Sequence, residues 1–456
     1  MSPARTLVGV LTAAVLGTLY GCSPDDPPAA DPTPPASPTS SPPSSGPEEL
    51  EVSVYGDATR LRTYREIADA FTDAHPGVEI TLDKHPDADD ALNGTLDALE
   101  LGAGPDVFLA DQRYLPQLVD TGGLEPVDRL LEARGLQFGD DHQRVALTSF
   151  SANNRLQCMP AEMSPKVVYL NTRLVPRRQL ADADVTVPNA LQSSWSWADF
   201  ETTARTVAGL DQLGAIKGVY IPPDIGTVTA FVRSADGDVV DDVFEPTSLT
   251  LASDSAQEAL GELITLARDP AVSLTEQDIK SRDPINWFTA GDLGMFVGTR
   301  DDLPTLRDTE GLHFDVAPLP SLGRSRTVAD VNGYCINAGT DHLDTAADFV
   351  AFAVGKEAAA IASRSDVIVP ARLDTVHEDV FTQPDEQPRN SQVFGVSLRR
   401  ADPMPYDEAW PRVSALAEDV FVRLFFGPEV DVDAELEQRM VRLDVLSESM
   451  FDPAAG

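Results

Sequence analysis

The chain has 456 residues, 42% of them hydrophobic, and its 74 Asp and Glu against 34 Lys and Arg leave a net charge of -40. So long a chain exceeds what one hydrophobic core normally serves, so two domains or lobes are expected. The charge repels nucleic acid and anionic headgroups and argues against polyanionic ligands, whereas neutral and cationic ligands remain open.

An apolar run over residues 7–19, behind Arg5, is shorter than the roughly 20 residues of a membrane span and is expected to be an export signal. It ends in Leu19-Tyr20-Gly21-Cys22, which resembles the lipobox of bacterial lipoproteins, with Tyr20 an untypical residue there. That resemblance implies a signal peptide over residues 1–21 and a lipidated (palmitate-bearing) Cys22; the alternative is ordinary secretion with an incidental cysteine. Residues 22–48 then form the anchor and a Pro/Ser-rich tether whose composition cannot bury a core.

Residues 51–55 alternate as a strand does, and Leu61, Tyr64, Ile67, Ala68 and Phe71 recur at helical spacing until Pro76-Gly77 breaks the run. A second strand is predicted over 78–82, a helix carrying Leu92, Leu96 and Leu99 as far as Gly102, and a third strand over 105–109. This order predicts a mostly parallel sheet with helices on its faces, an α/β fold. Ligands of such sheets sit at the carboxyl ends of the strands, here residues 56–60 and 111–114. Further along, Ser196 with Asp199 and Ser255 with Glu258 are predicted to cap helices, and Gly355 to stop one.

The spacings of phosphate loops, nucleophile elbows and zinc helices are missing, and no cofactor or metal is expected. The acidic stretch 83–90 lacks the Gly and Glu that a calcium loop requires. Cys158 and Cys335 form either one disulfide or two separate thiols.

Several segments, in order, resemble the family 1 extracellular solute-binding proteins, carbohydrate-type receptors of ABC importers. They include His75-Pro76-Gly77-Val78, Pro105-Asp106-Val107, Gly123-Leu124-Glu125-Pro126, Val167-Val168-Tyr169-Leu170-Asn171, Trp197-Ala198-Asp199-Phe200, the stretch from Phe288 to Met295, and Ala317-Pro318-Leu319-Pro320. The resemblance implies a two-lobed periplasmic-binding-protein fold of type II, the lobes joined by crossing hinge strands. Lobe 1 would span residues 49–157 and 337–400, lobe 2 residues 160–333 and 401–450, with hinges near 156–160, 332–338 and 395–403. Cys158 and Cys335 fall on two neighbouring hinge strands of that family, which implies a disulfide between them; two buried thiols are the alternative.

A sugar offers hydroxyls on its edges and C–H groups on its faces, so a receptor needs aromatic surfaces with carboxylate, amide and guanidinium partners. The expected ligand-binding residues are Asp57, Arg60, Asp111, Arg113 and Tyr114 from the first lobe, and Glu162, Trp287, Arg300, Asn332 and Trp410 from the second. Trp410 and Trp287 could equally pack in the core, and Arg113 could pair with Asp111. Arg300 departs from the family, which often has Trp after this strand, and the change points toward an acidic or unusual sugar. Asp111 has little structural excuse at its strand end.

The function implied is a lipid-anchored, monomeric receptor on the outer face of the cytoplasmic membrane. It would bind a sugar or oligosaccharide and deliver it to an ABC permease, without catalysis and without nucleic acid as a partner. The alternatives are a binding protein for a polyamine, peptide or polyol, a receptor reporting to a sensor, and a surface glycoside-processing enzyme with two facing carboxylates.

Overall fold

The computed structural model describes residues 47–189, 194–211, 214–427 and 432–452, so the expected signal peptide, Cys22 and nearly all of the tether lie outside the described residues. Strand β1 (Glu48–Tyr55) alternates at first, with Leu50 buried between exposed Glu49 and Glu51, and is covered on both faces from Val52 onward. Asp57 caps helix α1 (Ala58–Ala74) by accepting from the Arg60 backbone N–H at 2.8 Å. Tyr64, Ile67, Ala68 and Phe71 form the buried face of α1, and the Phe71 ring meets Phe349 and Phe352 edge-on. Strand β2 (Val78–His85) follows, then α2 (Ala88–Glu100), capped by Asp87, and β3 (Val107–Asp111). β1 lies between β2 and β3 and runs parallel to both.

The rest of the chain corrects the expectation of a mostly parallel sheet. It supplies β4 (Cys158–Pro165), β5 (Val167–Asn171), α3 (Trp197–Ala208), β6 (Lys217–Tyr220), α4 (Ile225–Ser234) and α5 (Asp254–Ala267). After these come β7 (Leu293–Gly298), β8 (Phe314–Pro318), β9 (Thr327–Asn337), α6 (Leu343–Ala353), α7 (Lys356–Arg364), β10 (Val369–Pro370), α8 (Gln392–Leu398), α9 (Trp410–Phe426) and α10 (Val432–Phe451). The larger sheet has the order β10-β4-β9-β3-β1-β2, and short strands at Leu124–Glu125 and Ala401–Asp402 pair with the ends of β9. β9 runs antiparallel to both β3 and β4, because the chain returns into this sheet directly from its other half instead of through a helical crossover. The smaller sheet, β8-β5-β7-β6, is also mixed. Its helices bury Trp197, Phe200 and Phe231 against one another.

Cys158 and Cys335 face each other directly across β4 and β9. A disulfide joins them, with S–S 1.98 Å and Cα–Cα 4.3 Å, and ties positions 177 residues apart. Ser196 caps α3 through the Asp199 N–H. The predicted box at Ser255 and Glu258 is corrected: α5 begins two residues earlier, with Ser253 the last extended residue. Gly355 adopts an extended conformation between α6 and α7 and opens the second helix instead of closing the first in a left-handed turn. No described helix is long and apolar enough to cross a membrane.

Candidate functional site

Paired residues on adjacent strands present their side chains side by side. One such row crosses Glu162 of β4, Asn332 of β9 and Asp111 of β3; the next holds Ser164 and Asp330. These rows floor a cleft of about 970 Å³, at the upper end of the range for small-molecule sites. Loops following β1 and β3 bring Asp57, Arg60, Arg113 and Tyr114 to one wall. The opposite wall is the start of α4 at Asp224 and the face of α9 that carries Trp410, Ser414 and Glu418 at helical spacing.

Gly56 makes the first wall. At φ +137° it turns the chain out of β1, and a Cβ there would stand 2.8 Å from the Arg60 side chain, which folds back over the turn. Arg60 Nη1 donates to both Glu162 oxygens at 3.0 Å, and Nη2 pairs with Asp301 on the far wall. Glu162 also accepts from Tyr64 Oη and Asn332 Nδ2, each at 2.8 Å, while Tyr55 Oη donates to Asn332 Oδ1 at 2.7 Å. Burial works against the Arg60 charge, but Glu162, Tyr64 and Asp301 outweigh it and raise its pKa above the ordinary value.

Toward the other end, Lys166 Nζ pairs with Asp224 at 2.8 Å. Asp224 also caps α4 by accepting from the Thr227 N–H and Oγ1. Burial opposes both charges, yet their attraction prevails, raising the pKa of Lys166 and lowering that of Asp224. Burial raises Asp330 and lifts Asp111 to about 6, although Arg113 opposes both shifts.

Seven of the ten expected ligand residues line this cleft: Asp57, Arg60, Asp111, Arg113, Tyr114, Asn332 and Trp410. Asp57 doubles as the cap of α1. Asp111 has a structural role after all, because it accepts from the Arg113 N–H at 2.9 Å and caps the turn after β3. Arg113 pairs with it at 3.2 Å, and Tyr114 donates to Asp89. Glu162 lies just beneath the lining, saturated by Arg60, Tyr64 and Asn332, and borders a separate cavity of about 20 Å³ beside His142 and Arg372. Both Glu162 and Asn332 sit on the larger sheet.

Trp287 and Arg300 are corrected. Trp287 is half-buried outside the cleft, under the Arg282 guanidinium at 3.8 Å. Arg300 is fully buried: it donates to the carbonyls of Ser363, Asp366 and Phe381 and lies 4.0 Å over the Phe381 ring. Burial pushes its pKa down to about 10. It fastens the turn after β7 to the segment after α7 and does not face a ligand.

Lys166, Asp224, Asp301, Asp330 and Glu418 also line the cleft and were missed. Period two along β4 and β9 carries Glu162 to Ser164 and Lys166, and Asn332 back to Asp330, while steps of four along α9 carry Trp410 to Ser414 and Glu418. Those spacings were the available signal. Among the described residues no group of three or more His, Cys, Asp or Glu is placed to hold a metal ion.

Two mixed α/β halves around a polar cleft, floored by strands that pass between them, define a two-lobed binding protein of the periplasmic type. Over residues 66–388, more than half of the chain, the sequence matches the bacterial extracellular solute-binding protein family, and the chain belongs to that family. A comparison with curated proteins found no match. Among solved structures, the fold is similar to the ABC substrate-binding protein Lmo0181 from Listeria monocytogenes in complex with cycloalternan, at TM-score 0.72 and 18% identity over 88% of this chain and 99% of that one. It is likewise similar to the sugar-binding protein MalE from Xanthomonas citri, at TM-score 0.72 and 16% identity over 89% and 99% of the two chains. The cyclic alpha-maltosyl-1,6-maltose binding protein from Arthrobacter globiformis matches at TM-score 0.71 and 16% identity over 90% and 100%.

Proposed function

We propose that this solute-binding protein captures a sugar or oligosaccharide in the cleft and delivers it to the membrane subunits of an ABC permease. The observation that carries the reading is the cleft of about 970 Å³, in which planar hydrogen-bonding side chains converge, with Trp410, only 3% exposed, at the wall. Carboxylates, amides and guanidinium groups bond pairs of hydroxyls, and an aromatic face covers the C–H surface of a sugar ring. The ligands of the structural relatives, cycloalternan and cyclic alpha-maltosyl-1,6-maltose, agree with this class.

In this reading residues 49–157 with 337–400 form one lobe, residues 160–333 with 401–450 the other, and the strands near 156–160, 332–338 and 395–403 the hinge. The open form binds on one lobe, closure adds contacts from the other, and the closed form docks on the permease. The protein acts as a monomer without catalysis, held by a lipid on Cys22 to the outer face of the cytoplasmic membrane. Intrinsic tryptophan fluorescence, titrated with mono- and oligosaccharides, is expected to give a saturable change with one of them. Turnover of a chromogenic glycoside, or no response to any sugar, overturns the reading.

A further inference from the structure

The cations that line the cleft are all committed to protein carboxylates. Arg60 is held by Glu162 and Asp301, Arg113 by Asp111, and Lys166 by Asp224. Against these three, eight carboxylates among the described residues line the same cavity. Most of the eight have work within the fold: Asp57, Asp87, Asp111 and Asp224 cap helices or turns, Asp89 accepts from Tyr114, and Glu418 accepts from the Ile225 N–H.

Asp330 differs from all of them. Its side chain is exposed on β9 and lines the cleft, and it makes no ion pair and accepts no hydrogen bond among the described residues. The groups that act on it electrostatically are Lys166, Asp224, Arg113 and Asp301, and the two cations among them are already paired. The like charges of Asp224 and Asp301 disfavour its ionised form, and a cation joining it offsets them. The cleft therefore contributes an unneutralised negative charge to whatever it binds.

We propose that the solute is a carbohydrate bearing a protonated amine, an amino sugar or amino-oligosaccharide, whose ammonium is received by Asp330. The inference rests on the carbohydrate reading above and adds the charge of the substrate. Ring hydroxyls meet the bonded row at Asn332 and Asp111, and the ammonium supplies donors to Asp330.

The test is calorimetric titration of the full chain at neutral pH with a glucosamine trimer, its N-acetylated counterpart, maltotriose and spermidine, each up to millimolar concentration. The free-amine trimer is expected to bind at least about tenfold more tightly than either neutral trimer, the worth of one charge-assisted hydrogen bond. Asp330→Asn is expected to erase that preference, and Asp330→Glu, which keeps the charge, to retain part of it. A neutral trimer that binds as tightly as the amine overturns the inference and leaves the carbohydrate reading standing. Binding of spermidine alone overturns both. Silence toward the glucosamine trimer, or a preference that survives Asp330→Asn, also overturns the inference. Should Asp330→Asn fail to fold, the comparison of the free-amine and acetylated trimers on the unaltered chain still decides.

Discussion

One strand step separates two rows on the floor of the cleft, and they are bonded in opposite ways. In the row through Glu162, Asn332 and Asp111, each side chain has partners within the protein, and the Glu162 carboxylate alone accepts from Arg60, Tyr64 and Asn332. In the next row Asp330 accepts nothing, although Lys166 and Arg113 are near enough to act on it. The residue types are alike, both rows are set by the pairing of β4 with β9, and Asn332 and Asp111 of the first line the same cavity as Asp330 of the second. What separates a group that holds the fold from one free to hold a ligand is whether the protein has already met its hydrogen-bonding needs.

Breaking the saturated row should produce the largest effect. Glu162→Ala strips Arg60 of its main partner and leaves Tyr64 Oη and Asn332 Nδ2 without their acceptor, which is expected to cost about 3–5 kcal/mol of stability. Urea denaturation measures this, and a loss below 1 kcal/mol, about the worth of an exposed pair, would sink the claim that the row is structural.

Next comes the disulfide beneath that row. Replacing Cys158 and Cys335 together by Ala is expected to remove about 2–5 kcal/mol, because the bridge closes a long loop in the unfolded chain. Nonreduced peptide mapping should recover the Cys158–Cys335 pair, and two free thiols there would remove the pin.

The cavity on the other side of Glu162 gives a smaller, pH-dependent effect. His142 is 2% exposed, and burial together with Arg372 lowers its pKa from 6.5 to about 4. The unfolded chain takes up this proton before the folded one does. Stability is therefore lost as the pH falls from 6.5 toward 4, by at most about 3 kcal/mol. Asp111 has the opposite sign: its raised pKa, about 6 against 3.8, makes its contribution grow as the pH falls through that interval. Melting temperatures of His142→Gln between these limits should show less acid loss than the parent, and an unchanged profile would remove His142 as the cause.

The smallest effect sharpens the contrast from outside the cleft. Trp287→Ala should leave ligand affinity unchanged within the error of a titration, whereas Trp410→Ala, on the cleft wall, should weaken it. Equal losses in the two variants would contradict the placement of Trp287.

Much of the scaffold was legible because its signals are local. The alternation at 51–55, the helical spacing from Leu61 to Phe71 and the break at Pro76-Gly77 mark the ends of β1 and α1 to within a few residues. Seven of the expected positions line the cleft because strand ends and helix starts can be recognised in a linear chain. Arg300 failed for the converse reason: its partners at Ser363, Asp366 and Phe381 lie more than sixty residues away and nothing near it announces them. Ser255 failed through a finer error, since two serines two residues apart offer the same capping signal and only the packing of α5 chooses Ser253.

By itself the sequence determined that the chain would exceed one core, that its first strands and helices as far as β3 would alternate as in an α/β fold, and that it would be strongly acidic. Periodicity, caps and composition act over a few residues and need no distant partner. Only the tertiary structure decided which polar groups are spent and which are left over. Arg60 meets Glu162 from 102 residues away and Asp301 from 241, and β9 enters the larger sheet antiparallel to β3 after passing through the other half. Hydrogen bonds and ion pairs are short-ranged and saturable, so their assignment follows the folded path of the chain.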